Sequence, residues 1–359
     1  MNVYDLWFSS IQLSNRIKLL LLKNMISTEQ LWNYAFYVKD SVTINEKIKY
    51  YLKKAWDKVQ LESLYTYLST KGIETVVFNE KIYPKNLKNI VDAPAIIFYK
   101  GNISGVSEKL SVGIVGSRNC SVYGENVAEI ISKELSIDGM NIVSGMARGI
   151  DSFAHKACLK QGGYTCAVLG SGIDVVYPKE NKKIYDKISE NGCVLSEFLP
   201  GTKPLSRNFP IRNRIISGLS DLIIVVEAGE KSGSLITAEL ALDQGKDVVA
   251  VPGTIFSNQS KGTNKLIRDG AYIFTGFEDL FQILNMKYVC QNSKKLKQMT
   301  SIEKKIYDSI TDTPAHIDDI FERTNVDIKQ LYEVLFELQL RDEVICISGN
   351  YYARINKAL

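Results

Sequence analysis

Residues 111–151 read SVGIVGSRNCSVYGENVAEIISKELSIDGMNIVSGMARGID. SVGIVGS is a continuous apolar run ending in a glycine turn, VAEIISKEL has helical spacing, and MNIVSG is a second apolar run. Unbroken Val/Ile runs mark strands buried on both faces, and strand–helix–strand spacing of this kind builds a parallel sheet covered by helices. The pattern continues outward with DSFAHKACLKQ as a helix, YTCAVLG as a strand and a helix near KKIYDKISEN. CVLSEF, DLIIVVEA, DVVAVPG and AYIFTG are four more strands, each preceded by a helical stretch. The fold class expected is α/β: a Rossmann-like, doubly wound, mostly parallel sheet.

Both flanks differ from this centre. Residues 1–75 are strand-poor, with helical periodicity in IKLLLL and YYLKKAWDKVQLESLYTYL, and predict a small helical domain. VVF and AIIFYKGN then read as short strands leading into the core, with Pro84 and Pro94 marking turns. After the sheet, QNSKKLKQMTS reads as a polar linker. EKKIYDSI, HIDDIFERT and DIKQLYEVLFELQLRD predict three helices, and EVICISGNYYAR a two-stranded hairpin turned at Ser348-Gly349-Asn350. That order is a winged helix. The expected division is 1–75 helical, 76–288 Rossmann-like, 289–299 linker and 300–359 winged helix.

The chain's 359 residues are 45% hydrophobic and 23% charged, with a net charge of +4. That composition suits a soluble globular protein of two or three domains. No apolar run is long enough for a membrane span, and the start lacks a signal-peptide cleavage pattern, so a cytoplasmic location is expected. Six cysteines with no C-x-x-C spacing read as buried free thiols, and with only His155 and His316 present no metal site is expected.

In an open α/β sheet, ligands bind beyond the carboxyl ends of the strands. The stretches there are Gly116-Ser117-Arg118; Ser144-Gly145 through Arg148-Gly149-Ile150-Asp151; Gly170-Ser171-Gly172; Gly229-Glu230-Lys231-Ser232-Gly233-Ser234; and Lys261 through Asn264. Small and hydroxylated residues leading into successive helices direct backbone N–H groups at one edge, which suits phosphate. The dinucleotide fingerprint and the ATP-binding P-loop are both missing, so no cofactor is expected.

Between Phe198 and Ser220 lie four cations, Lys203, Arg207, Arg212 and Arg214, and no acid. Pro210 suits the first turn of the helix IRNRIISGL, which places Arg212 in that turn, where the helix dipole disfavours a cation unless an anion binds. Cations around Phe209 form a single-stranded nucleic-acid signature: the cations track phosphates and the ring stacks a base. Phe209 as a core anchor, and Arg212 or Arg214 paired with Glu227 or Asp151, are the alternatives. Asp151 with His155 four residues on reads as a helix cap and its neighbour; Glu227 at a strand end could be a base acting on a sugar.

Taken together, GSR, SGMARGID, FPIRNRIISGL, VVEAGEKSGSLITAELA, VVAVPG and GTNKLIRDGA closely resemble the DNA-processing protein A family, also called Smf. The resemblance covers nearly the whole chain, more loosely over 1–75, where the family has a domain of the sterile-alpha-motif or helix-hairpin-helix kind. It implies a protein without catalysis that binds single-stranded DNA, forms a homodimer through the Rossmann-like domain and loads a RecA-type recombinase in natural transformation. By this resemblance Arg118 is a pocket arginine, and Ser144, Gly145 and Gly149 form a phosphate loop. Phe209, Arg212 and Asn213 touch DNA, Ser232, Gly233 and Ser234 form a second loop, and Arg207 stands nearest to a lysine found in some members. A second resemblance, to nucleoside-monophosphate phosphoribohydrolases, rests on EAGEKSGSLITAE with Thr237 and a displaced Glu239; a nucleotide sensor is the third reading.

Overall fold

The computed structural model describes residues 1–23, 25–38, 44–288, 299–340, 343–347 and 349–355, which form two compact units, Met1–Ile273 and Phe274–Leu359. The first begins with five helices: α1 (Val3–Ser10), α2 (Asn15–Leu22), α3 (Thr28–Tyr37), α4 (Glu46–Lys54) and α5 (Lys58–Thr70). Each starts at a polar residue, Asn2, Ser14, Ser27, Asn45 or Asp57, whose side chain accepts a first-turn amide left without a helical partner. Trp7, Trp32 and Trp56, the only tryptophans in the chain, cluster here with Tyr4 and Phe36.

The sheet comprises β1 (Glu74–Val77), β2 (Ile96–Gly101), β3 (Ser111–Val115), β4 (Asn141–Ser144), β5 (Thr165–Val168), β6 (Cys193–Ser196), β7 (Leu222–Val225), β8 (Asp247–Ala250) and β9 (Tyr272–Ile273). Its order is β1-β2-β6-β5-β4-β3-β7-β8-β9, antiparallel at β1-β2 and β2-β6 and parallel elsewhere. The helices between strands are α6 (Val122–Ile137), α7 (Ile150–Lys160), α8 (Lys182–Asn191), α9 (Asn208–Leu219), α10 (Gly233–Asp243) and α11 (Lys261–Arg268). Every strand expected from the apolar runs is present. The chain winds outward from β3 in both directions, so the order reverses between β3 and β7, and the loops leaving those strands part to open a crevice.

Alternate side chains divide the sheet between two cores. Ile96, Phe98, Ala167 and Val194 pack with Leu6, Leu31, Leu52 and Leu68 of the N-terminal helices. Ile97, Val143, Val168 and Leu195 pack on the other face with Ile215, Ile216 and Leu219 of α9. The five helices thus share a core with the sheet.

In the second unit, α12 (Phe277–Ile283) is followed by α13 (Ser301–Ser309), β10 (Ala315–His316), α14 (Ile317–Thr324), α15 (Ile328–Leu340), β11 (Val344–Ile347) and β12 (Tyr351–Arg354). The last six elements are a winged helix whose core includes Ile306, Ile320, Leu331, Leu335 and Tyr352. A short strand, β10, joins the hairpin in the order β10-β12-β11; two residues are too few to show a strand period in sequence. Positions 289–298 of the expected linker and Ser348 of the hairpin turn lie outside the described residues. Of the five described cysteines, all free, Cys158, Cys166 and Cys193 are buried as expected, Cys120 is partly covered, and Cys346 is exposed on β11.

Candidate nucleic-acid interface

At the β3/β7 crevice lies a cleft of about 560 Å³, lined among others by Gly116, Ser117, Arg118, Phe209, Asn213 and Lys231-Ser232-Gly233-Ser234. A smaller pocket of about 220 Å³ adjoins it, bounded by Gly145, Arg148, Gly170, Ser171, Tyr177 and Pro178. Arg118, Asn119, Ala147 and Phe209 belong to both.

Two arginines converge on one ring. The guanidinium of Arg118 lies 5.0 Å from the centroid of Phe209 and that of Arg212 5.8 Å. These are cation–π distances. Phe209 is half-buried, held against Gly170, where a Cβ would stand 2.7 Å from its ring, and beside the Tyr177 ring at 5.7 Å. It is therefore neither a core anchor nor a free platform: it seats Arg118, which is exposed and, among the described residues, in no ion pair.

Arg212 serves the fold. The helix starts at Asn208, two residues before Pro210, which moves Arg212 out of the first turn. It is 3% exposed. It donates from Nη1 to the Gly145 carbonyl at 2.7 Å and to the Val168 carbonyl, and from Nε to Asn213 Oδ1 at 3.2 Å. It thus ties down carbonyls at the ends of two parallel strands. Burial pushes its pKa down to about 10, opposed by Asp151, so it stays charged at neutral pH. Gly145 is required here, since a Cβ would stand 2.7 Å from Arg212 Nη2.

Asp151 does not cap α7. Its Oδ2 accepts from the Gly145 amide at 3.1 Å and the Ala147 amide at 3.3 Å, folding the preceding loop back. Burial pushes its carboxyl up, against Arg212 and those two amides. His155 is buried and bonded to Thr165 Oγ1 at 2.7 Å; burial, then Arg212, pushes its pKa down to about 3. Glu227 accepts from the Ser121 amide at 2.8 Å and hydroxyl at 2.6 Å, while its backbone carbonyl accepts the Ser117 amide at 2.7 Å. It is a strut for the loop bearing Arg118, so a free base is not found at this position. Arg214 forms a two-pronged pair with Glu197, at 2.9 and 2.6 Å, and reaches Asp92 at 3.2 Å, rather than Glu227 or Asp151.

Of the other residues singled out by sequence, Ser144 is buried and donates to the Ile114 carbonyl at 2.6 Å, outside the cleft lining. Gly149, with φ of 71°, packs where a Cβ would stand 2.3 Å from the Ser117 carbonyl. It shapes the loop without lining the cleft. Arg148 lines the smaller pocket, ion-paired with Glu180. Asn213 donates to the Gly233 carbonyl at 3.2 Å and so links α9 to the start of α10. Lys203 and Arg207 are exposed but line neither pocket. Lys261 and Asn264 do not join the site: Asn264 spans the Gly253 amide and carbonyl at 3.2 and 2.9 Å, and neither lines the cleft. Glu239, on the exposed side of α10, also stays out.

Sequence reasoning missed Asn119, Tyr177 and Gln259. Gln259 donates to the Asn119 carbonyl at 2.8 Å, bringing a distant loop to the rim. Lys231, named in the loop that leads into α10, lines the cleft. Tyr177 lies seven residues beyond the third loop's first glycine and carries no local signal.

Residues 74–285 match the family model described as DNA recombination-mediator protein A, and residues 293–350 match the DprA winged helix domain. The chain belongs to the DNA recombination-mediator protein A family. It is 45% identical to the DNA processing protein DprA of Bacillus subtilis over 221 residues, 61% of this chain and 74% of that one. It is 32% identical to the Smf protein of Escherichia coli over 313 residues, 85% and 83% of the two chains. The solved DprA of Streptococcus pneumoniae superposes with a TM-score of 0.68 at 36% identity, over 80% of this chain and 99% of that structure. A solved DprA of Helicobacter pylori, described for its single-stranded DNA binding mode, superposes with a TM-score of 0.54 at 30% identity, over 59% and 95%. The family assignment and the mostly parallel sheet agree with the reading of residues 111–284. Among the described residues, no helix is long and apolar enough to cross a membrane.

Proposed function

We propose that the cleft holds single-stranded DNA and that the protein acts by binding, without catalysis. Arg118 and Lys231 neutralise phosphates, assisted by the Gly233 amide and the Ser232 and Ser234 hydroxyls at the start of α10, where the helix dipole favours an anion; the Ser232 amide is taken by the Gly229 carbonyl at 3.0 Å and the Ser234 amide by the Ser232 hydroxyl at 3.4 Å. A base enters the smaller pocket against Tyr177 and the edge of Phe209. Arg212, Gly145, Ser144, Gly149 and Asn213 hold this surface in shape from behind. One observation carries the reading: among the described residues, Arg118 is seated on Phe209 in a cleft whose single lining carboxylate, Asp151, is already bonded to two amides. The cleft is therefore positive towards a polyanion. The binding mode described for the H. pylori relative supports the same ligand class.

Recombinase loading, in the sense of the family's description as a recombination mediator, and homodimerisation through the sheet-bearing unit complete the proposal. In it residues 76–288 are the DNA-binding part, 1–75 a helical layer on it, 289–299 the linker and 300–359 the winged helix. The test is a labelled oligothymidine titrated against matched duplex at several salt concentrations, with AMP assayed for released adenine alongside. Preference for the single strand and a steep fall with salt, from counterion release, are expected. Equal affinity for duplex, or adenine release, overturns the proposal.

A further inference from the structure

The winged-helix unit carries a surface that the cleft does not explain. In helix-turn-helix readers the second helix of the motif enters the major groove. Here that helix is α15, begun by Asp327, whose Oδ1 accepts the Lys329 amide at 3.0 Å and the Gln330 amide at 3.3 Å. Its solvent face carries Ile328, Tyr332 and Phe336, exposed by 44%, 46% and 61%. At a spacing of four residues they form one stripe along the helix. The hairpin packs against α15: Tyr352, in the core with Leu331 and Leu335, pairs across the hairpin with the exposed Cys346. Along the solvent flank of the stripe run Lys329, Glu333 and Glu337, and the winged helix, residues 300–359, contains seven lysines and arginines against eleven aspartates and glutamates.

A groove reader needs the opposite chemistry. DNA affinity comes chiefly from cations that neutralise phosphates, and carboxylates on the inserted helix face the same phosphates unfavourably. An exposed aromatic and aliphatic stripe bounded by charge fits the helix-in-groove mode of protein recognition instead.

We propose that the Ile328–Tyr332–Phe336 face of α15 is a docking surface for a protein segment bearing an apolar ridge flanked by lysines or arginines. The carboxylates of Glu333 and Glu337 beside the stripe, within a winged helix of net acidic charge, select the flanks, and the stripe seats the ridge. This assignment is independent of the DNA reading of the cleft.

The test titrates the full chain with a labelled amphipathic helical peptide carrying leucines every fourth residue and lysine flanks, and with its isomer carrying glutamate flanks. The lysine peptide is expected to bind at least about tenfold more tightly, a difference of about 1.4 kcal/mol. The double variant Tyr332→Ala/Phe336→Ala keeps every charge and is expected to lose about tenfold of that affinity, with oligothymidine binding unchanged. Wild-type peptide affinity in the double variant overturns the proposal. So does a selective loss of duplex affinity, which makes the face a groove reader. A concentration-dependent dimer abolished by the double variant also overturns it, since the occupant is then a second copy.

Discussion

The molecule has two surfaces where its folds conventionally meet nucleic acid, and they are chemically opposed. The strand-end cleft is polar, rich in backbone, and faced by Arg118 and Lys231. The exposed face of α15 is apolar and flanked by Glu333 and Glu337. Fold alone assigns both to DNA; side-chain chemistry separates them. The same separation operates within α9, where three residues have three fates. Phe209 seats a free cation, Arg212 disappears beneath the loops, and Arg214 is consumed by Glu197.

Removing the cation beneath the cleft should have the largest effect. Arg212→Met leaves the Gly145 and Val168 carbonyls and Asp151 without their partner, and is expected to destabilise the first unit by about 3–5 kcal/mol. Chemical denaturation followed in each unit checks this; the winged helix should unfold as before. Next comes the cation above the cleft. Arg118→Ala is expected to weaken oligothymidine binding by about 10- to 100-fold, for every sequence alike, and to reduce the salt slope by about one, with stability nearly unchanged. A large stability loss with retained affinity would exchange the roles given to the two arginines.

A pH effect of similar size falls on stability alone. His155 is neutral in the folded chain, with its pKa down at about 3 from an ordinary 6.5, while the unfolded chain takes up a proton below 6.5. Stability is therefore full above that pH and lost as pH falls, by about 2 kcal/mol between pH 6.5 and 5. His155→Gln should flatten this slope in urea titrations. The smallest effect expected is none: Tyr332→Ala/Phe336→Ala should leave oligothymidine affinity within about twofold, and a larger drop would join the two surfaces into one.

The strands were legible because apolar runs are local and each glycine turn follows its strand directly. Those turns placed the site beyond the carboxyl ends of the strands; the crevice between β3 and β7 depends on a strand order set by non-local pairing. Which cations remain free was not legible, because neutralising partners are distant in sequence: Arg214 meets Asp92 across 122 positions, and Arg212 meets Val168 across 44. Two of the four cations in Phe198–Ser220, Arg212 and Arg214, therefore fasten the chain to itself, while Lys203 and Arg207 stand exposed outside the cleft. Among the described residues, the exposed arginine that lines the cleft without an ion pair came from GSR instead, on a loop held up by Ser121 and Glu227.

The placement of the three tryptophans in the N-terminal helices has a practical corollary. Indole emission from the wild-type chain monitors that layer alone, with Trp7 donating to the Leu52 carbonyl at 2.9 Å and none of the three lining the cleft. Any quenching on adding an oligonucleotide would consequently announce a rearrangement relayed to the far face of the sheet, and a silent spectrum is what simple occupancy of the strand ends should produce.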